Sequence, residues 1–239
     1  MPTLEATLKS PRCDLHGADI MTGNPDLVCG ANERDAASKS EANPDFDVIP
    51  IQRDGVLIGY FERETCNKKR ITASDLISDG TSLLDLVDIL QVRPFAFVLS
   101  RERVEGYVHF SDLNHQLVKL TFYVILEALE RLGLNSIRGR DDRDSLKRDL
   151  DPVRFKQIED AYKRTGQAAR SLVSYLNLSD ILRLADSAGA IHIEESLITE
   201  MKSVRDGSAH VSENLVSIYD GVSKLGRVKR ECLRVLGST

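Results

Sequence analysis

A strand pattern occurs twice in this chain, at an offset of about fifty residues. Residues 47–62 read DVIPIQRDGVLIGYFE and residues 95–109 read FAFVLSRERVEGYVH. In each copy an apolar run (Val48, Ile49, Ile51; Phe95, Phe97, Val98) leads into a polar turn. An apolar pair, a glycine and an aromatic follow, Gly59-Tyr60 in one copy and Gly106-Tyr107 in the other. Two β-rich runs around a short polar turn read as strand, turn, strand, and the recurrence at a fixed spacing reads as a duplication. Helix-like stretches precede both copies, Arg34 to Asn43 and Thr81 to Gln91, so each unit reads helix, strand, strand. The second helix gathers Leu83, Leu84, Leu86, Val87 and Leu90 on one broad face, and the first is Ala-rich and more polar. Two such units have faces to bury against each other.

Beyond the second copy the pattern changes. Residues 113–132, LNHQLVKLTFYVILEALERL, predict a long helix without Gly or Pro that Gly133 closes. A charged stretch, Ser136 to Asp151, precedes Pro152, and helices are then expected over Val153 to Arg164, Ala168 to Leu176, Ser179 to Ser187, Glu194 to Arg205 and Ser212 to Leu236. Ser179 with Asp180, Gly189 and Ser212 mark their ends. The expected class is α+β: duplicated α/β repeats over 17–114, then an all-α bundle over 115–239, joined through helix 113–132. Residues 1–16 are expected to be disordered.

No apolar run is long enough to span a bilayer, and the first residues lack the charged-then-apolar pattern of a secretory signal. A cytoplasmic protein without membrane partners is the expectation. Cys13, Cys29, Cys66 and Cys232 show no paired short spacing and read as free thiols. Cys13, His16 and Cys29 lack a fourth ligand nearby, so no metal is expected. Residues 1–114 carry 12 Lys+Arg against 19 Asp+Glu, and residues 115–239 carry 20 against 18. The basic residues concentrate in Arg131 to Arg170 and Lys224 to Arg234, which fits a polyanion-facing module beside an acidic one; each run alone reads equally as a solvated helix face.

The first half resembles a tandem pair of CBS (cystathionine β-synthase) domains. The likeness rests on Ala18-Asp19-Ile20-Met21-Thr22 with Asn24-Pro25 at the entry, on the duplicated hairpins with Gly59 and Gly106, and on Ser111-Asp112-Leu113 at the close. It implies an adenine nucleotide (ATP, ADP or AMP) bound between the repeats as a regulatory ligand, with no cofactor required. An Asp after the glycine would hold the ribose and a hydroxyl residue the phosphate. Asp112 matches the ribose position. His109 stands at the phosphate position of the second repeat and Glu62 at that of the first, where Thr65 replaces the Asp. Glu62 would repel phosphate, which leaves one competent site at most, at Asp112 and His109. Ser-Asp before Leu113 reads equally as a helix cap.

In the second half, Ser203 to Val211 (SVRDGSAHV) sets four residues between Arg205 and His210. Spacing alone is unspecific, since Arg103 and His109 occur in the same order with five residues between them. Context separates the pairs: Arg205 ends an amphipathic helix, and a break at Asp206-Gly207-Ser208 is expected to turn both side chains toward one space. On an unbroken helix, residues five apart point about 140° apart. This segment is similar to the Arg, four to six residues, His motif of the HEPN (higher eukaryotes and prokaryotes nucleotide-binding) superfamily, and Ser174 to Leu182 (SYLNLSDIL) adds to the likeness. The resemblance implies a metal-independent ribonuclease working as a two-fold homodimer, with Arg205 and His210 catalytic and RNA as substrate; an antitoxin or regulatory partner is a further option. Asp206 stands where many members carry Asn. The bland reading packs His210 at a helix junction and pairs Arg205 with Asp206 or Glu200. The two functional readings are a nucleotide-responsive ribonuclease and a non-catalytic regulatory protein that binds nucleotide and dimerises through its helices.

Overall fold

A computed structural model describes residues 15–23, 27–44, 46–138, 143–164 and 171–237. Seven strands form two small sheets among the described residues: β1 (Thr22–Gly23), β2 (Val48–Arg53), β3 (Val56–Glu62), β4 (Asn67–Lys69), β5 (Leu76–Ser78), β6 (Phe95–Ser100) and β7 (Arg103–His109). Helices α1 (Glu33–Ala42) and α2 (Leu83–Val92) lie between them in sequence. After His109 the described elements are helical: α3 (Gln116–Ser136), α4 (Arg143–Asp149), α5 (Pro152–Arg164), α6 (Leu178–Ser187), α7 (Glu195–Ala209) and α8 (Asp220–Gly237). The protein is a mixed α+β chain.

Two compact units result. One comprises Asp14–Leu117 with the later segment Val216–Val222, and the other Val118–Leu215 with Ser223–Thr239. Their boundary falls inside α3, and the segment 216–222 belongs with the strands although it follows α7.

The duplication is carried to the level of register. Ile51 faces Gly59 across the first hairpin and Val98 faces Gly106 across the second, and each hairpin shifts register one residue later, at Ile51/Gln52 and Val98/Leu99. Asp54 and Arg101 take left-handed φ values of 51° and 56° at the first turn residue of their hairpins. A parallel partner lies on one flank of each hairpin, β5 beside β6 and a single bridge from Gly30 to Ile51 beside β2. An antiparallel partner lies on the other, β4 beside β3 and β1 beside β7.

The recurring glycines follow from that last pairing. A Cβ on Gly59 would stand 2.5 Å from the Lys69 carbonyl oxygen, and one on Gly106 would stand 2.5 Å from that of Thr22. Only hydrogen fits where a third strand comes so near. Tyr60 and Phe95 meet edge-on at 5.4 Å between ring centres, and Tyr60 and Phe97 at 5.5 Å, so aromatics of both hairpins share one core with Leu27, Val48 and Leu57. Leu86, Val87 and Leu90 of α2 are fully buried, each adding roughly 1.5–3 kcal/mol of apolar burial. Ser82 begins α2 because its Oγ accepts the Asp85 N–H at 3.1 Å.

The helical unit has its own core, in which Ile137, Leu146, Phe155, Ile158 and Ile181 pack together. Arg154 donates to the carboxylate of the buried Asp180 at 2.7 Å, and Asp180 also accepts the Asn177 N–H at 2.9 Å. Asn177 thus caps α6, two positions before the expected Ser179. Leu15, expected in a disordered leader, accepts the Leu83 N–H at 3.0 Å, and His16 bridges to Ser82. Cys13 and Asn24-Pro25 lie outside the described residues.

Several expected boundaries move: the described part of the helix expected over Ala168 to Leu176 is a short 3-10 turn, Leu172–Tyr175, and the helix expected to end at Arg205 runs to Ala209. Residues 110–114 form a 3-10 turn, His115 leaves it with an extended backbone, and the long helix starts at Gln116 instead of Leu113. That helix runs past Gly133 to Ser136, and Gly133 is tolerated because its missing Cβ would lie 2.7 Å from Ile181 Cγ2. The last helix starts at Asp220, eight residues after Ser212.

Candidate functional site

In the strand unit, His109 ends β7 and caps the 3-10 turn that follows. Its backbone N–H donates to the Asp112 carboxylate at 2.7 Å. Its Nδ1 lies 2.8 Å from Ser111 Oγ and accepts the Ser111 N–H at 3.4 Å, while Nε2 lies 3.2 Å from Asp47 Oδ2. These partners assign the ring hydrogen to Nε2, between imidazole and carboxylate. The ring nitrogen expected to meet a phosphate therefore faces Asp47, a residue 62 positions earlier.

Asp112 lies where the ribose carboxylate was expected, and one of its oxygens is occupied by the His109 N–H. Burial pushes its carboxyl above the usual range, opposed by that hydrogen bond and by His109 and His115. Neighbouring Tyr107 is pushed up to about 12 by burial, then by Asp112, Asp47 and Cys29. In the first repeat, Thr65 Oγ1 donates to Glu62 at 2.8 Å and Lys69 pairs with Glu62 at 2.5 Å. Lys69 holds the Glu62 carboxyl below its usual range.

In the helical unit, Arg205 lies on α7, which runs unbroken from Glu195 to Ala209, and His210 directly follows its last residue. The expected break at Asp206-Gly207-Ser208 is absent. Gly207 is a buried helix residue whose added Cβ would touch Leu215 Cδ2 at an ordinary 3.4 Å. His210 is the exposed C-cap residue, with an extended backbone. On one continuous helix the two residues diverge by about 140° and lie about 7.5 Å apart along the axis. Among the described residues no hydrogen bond joins Arg205 to His210.

Arg205 reaches Glu130 at 3.4 Å, and its guanidinium lies 5.9 Å from the Tyr123 ring centre. Neither Asp206 nor Glu200 is its partner: Asp206 pairs with Lys202 at 3.1 Å and Glu200 with Arg227 at 2.5 Å. His115 and His192 are exposed. His192 pairs with Asp186 at 3.1 Å, and His115, expected to pack, is exposed and accepts the Leu117 N–H at 3.3 Å.

Lys119 is the residue that sequence reasoning missed. It is 2% exposed, and its Nζ donates to three backbone carbonyls just past α7, those of His210 at 3.1 Å, Val211 at 2.9 Å and Glu213. An ammonium has three donors and all three are used here. A cation at a helix C-terminus also meets the negative end of its dipole. The signal was present in the sequence: Lys119 is the charged member of an otherwise apolar row with Phe122 and Leu126.

Among the described residues, no group of three or more His, Cys, Asp or Glu side chains is placed to hold a metal ion, and no helix is long and apolar enough to cross a membrane. No protein-family model, curated protein or solved structure matches the chain.

Proposed function

We propose that the protein is a metal-independent ribonuclease that works as a homodimer and is regulated by an adenine nucleotide. The HEPN-like reading of the helical unit and the CBS-like reading of the strand unit both belong to this proposal. The observation that carries it is the placement of His210: an exposed imidazole at a helix C-terminus, its backbone fixed by buried Lys119, on the same helix as half-exposed Arg205. Cleaving RNA through its 2′-hydroxyl takes a base, an acid and a cation for the phosphorane charge. Imidazole serves as either acid or base near neutrality, and guanidinium supplies the cation. Because Arg205 and His210 diverge on one helix, a second copy supplies the missing groups.

The regulatory part is supported by the helix-hairpin duplication and by Asp112, whose second carboxylate oxygen makes no hydrogen bond among the described residues and so remains able to take a ribose hydroxyl. His109 is a weaker phosphate ligand than the resemblance implies, because Asp47 sits on its Nε2. Incubating the protein with RNA in EDTA, with and without ATP, ADP or AMP, tests both parts. Cleavage that responds to nucleotide in the wild type and loses the response in Asp112→Ala supports the proposal, and a response unchanged by that substitution removes the sensor.

A second reading, a non-catalytic regulatory protein, is favoured by one observation: Arg205 is already engaged by Glu130 and Tyr123. Absence of cleavage alongside nucleotide binding selects it.

A further inference from the structure

Asp47, His109 and Ser111 line up as carboxylate, imidazole and hydroxyl. Asp47 Oδ2 is 3.2 Å from Nε2, and Nδ1 is 2.8 Å from Ser111 Oγ. With Nε2–H directed at the Asp47 carboxylate, Nδ1 carries no hydrogen, and its one lone pair meets two donors of Ser111, the hydroxyl at 2.8 Å and the N–H at 3.4 Å, of which the hydroxyl is the nearer. Ser111 is exposed, whereas the His109 side chain is only 16% exposed and so keeps its orientation. The Phe110 ring lies 4.3 Å from the His109 ring, tilted by 45°, and meets Tyr219 at 5.5 Å, an aromatic pair next to the imidazole, with exposed Ile218 just before Tyr219 in the chain.

We infer that Ser111 is an activated nucleophile that takes an acyl group from a small, uncharged carboxylic ester, with His109 as its base and Asp47 as the group that orients the ring and offsets its charge. Ser111 Oγ bonds to the carbonyl carbon as its proton passes to Nδ1. The bond to the leaving alcohol then breaks, and that oxygen takes the proton from Nδ1. Water repeats the sequence on the acyl-serine, releasing the carboxylic acid and restoring Ser111. This aromatic pair suits an aryl or short alkyl ester, and the Asp47 carboxylate beside the His109 ring disfavours an anionic one. This assignment uses none of the residues proposed to cleave RNA, which lie in the other unit, and it shares His109 with the proposed nucleotide site.

The full chain, treated with an alkyl fluorophosphonate and mapped by peptide mass, tests it. There the Oγ–P bond forms, the P–F bond breaks and the serine proton leaves with fluoride. The expected result is one adduct, on Ser111, absent in Ser111→Ala and slowed about 100-fold or more in His109→Gln. Asp47→Asn slows it as well, and its side chain is 55% exposed, so the substitution leaves the core intact. The same three substitutions lower turnover of p-nitrophenyl acetate in the same order. Unfolding temperatures are recorded for each variant, and comparison is restricted to those that match the wild type. Adducts spread over several surface serines, or labelling at an unchanged rate in Asp47→Asn and His109→Gln, overturn the inference and reduce the arrangement to a capping hydrogen bond.

Discussion

Gly59 and Gly106 hold the same place in two hairpins, and each leaves 2.5 Å between a would-be Cβ and the carbonyl oxygen of a third strand, Lys69 in one sheet and Thr22 in the other. A backbone oxygen held in a ladder does not swing aside as a flexible side chain would. Gly59→Ala and Gly106→Ala are each expected to cost about 2 kcal/mol, lowering the unfolding temperature by roughly 4–8 °C in a chain of this size. Gly237→Ala, with nothing within 4 Å, is the control and stays at the wild-type value in the same thermal scan.

Lys119 ties residues 91–94 positions away, the carbonyls just beyond α7. Lys119→Met leaves three carbonyls without their donor and is expected to destabilise the protein by about 3 kcal/mol. Amide exchange over 211–216 accelerates with it. Lys119→Arg does not restore the wild-type values, because a planar fork cannot meet three oxygens as an ammonium does. Denaturant unfolding and exchange measured by mass spectrometry check both; unchanged exchange with lost stability separates a general packing effect from the clamp.

Two carboxylates predict opposite pH slopes. Burial raises the Asp112 pKa, so its stabilising share is complete below the unfolded value of about 3.9 and is lost as pH rises through the folded value. Asp112→Asn keeps an acceptor for the His109 N–H and therefore gains on the wild type as pH rises. Lys69 lowers the Glu62 pKa, so that share is present above about 4.3 and is lost as pH falls through the folded value. Glu62→Gln therefore loses on the wild type as pH rises. Unfolding temperatures taken from about pH 3 to 7 give the two differences, and slopes of the same sign contradict the assignment.

How much of this was legible in the sequence depends on the distance along the chain over which each feature is decided. The hairpins were, because alternation and turn residues are local, and their equal register follows from the same pattern. The reason for Gly59 and Gly106 was not, since β4 and β1 come from different parts of the chain and pair with β3 and β7 only in the fold. Gly207 misled in the other direction: a glycine inside a helix costs about 1 kcal/mol relative to Ala, yet packing beside Leu215 keeps α7 whole. Ser111-Asp112 reads as the cap of a helix from Leu113, whereas His109 is the cap, Asp112 accepts its N–H from inside a 3-10 turn, and the long helix begins only after His115. Asp47 beside His109 and Lys119 beside His210 are contacts across 62 and 91 positions, beyond any local pattern.

The central claim is that Arg205 and His210 cleave RNA without metal. The most direct measurement is the end group of RNA fragments produced in EDTA by wild type, His210→Ala and Arg205→Ala at protein concentrations that span dimer formation. The account predicts 2′,3′-cyclic phosphate ends from the wild type, a rate that rises more than linearly with protein concentration, and losses of about 100-fold or more in each variant. Equal cleavage by all three proteins, or none by the wild type at any concentration, contradicts it.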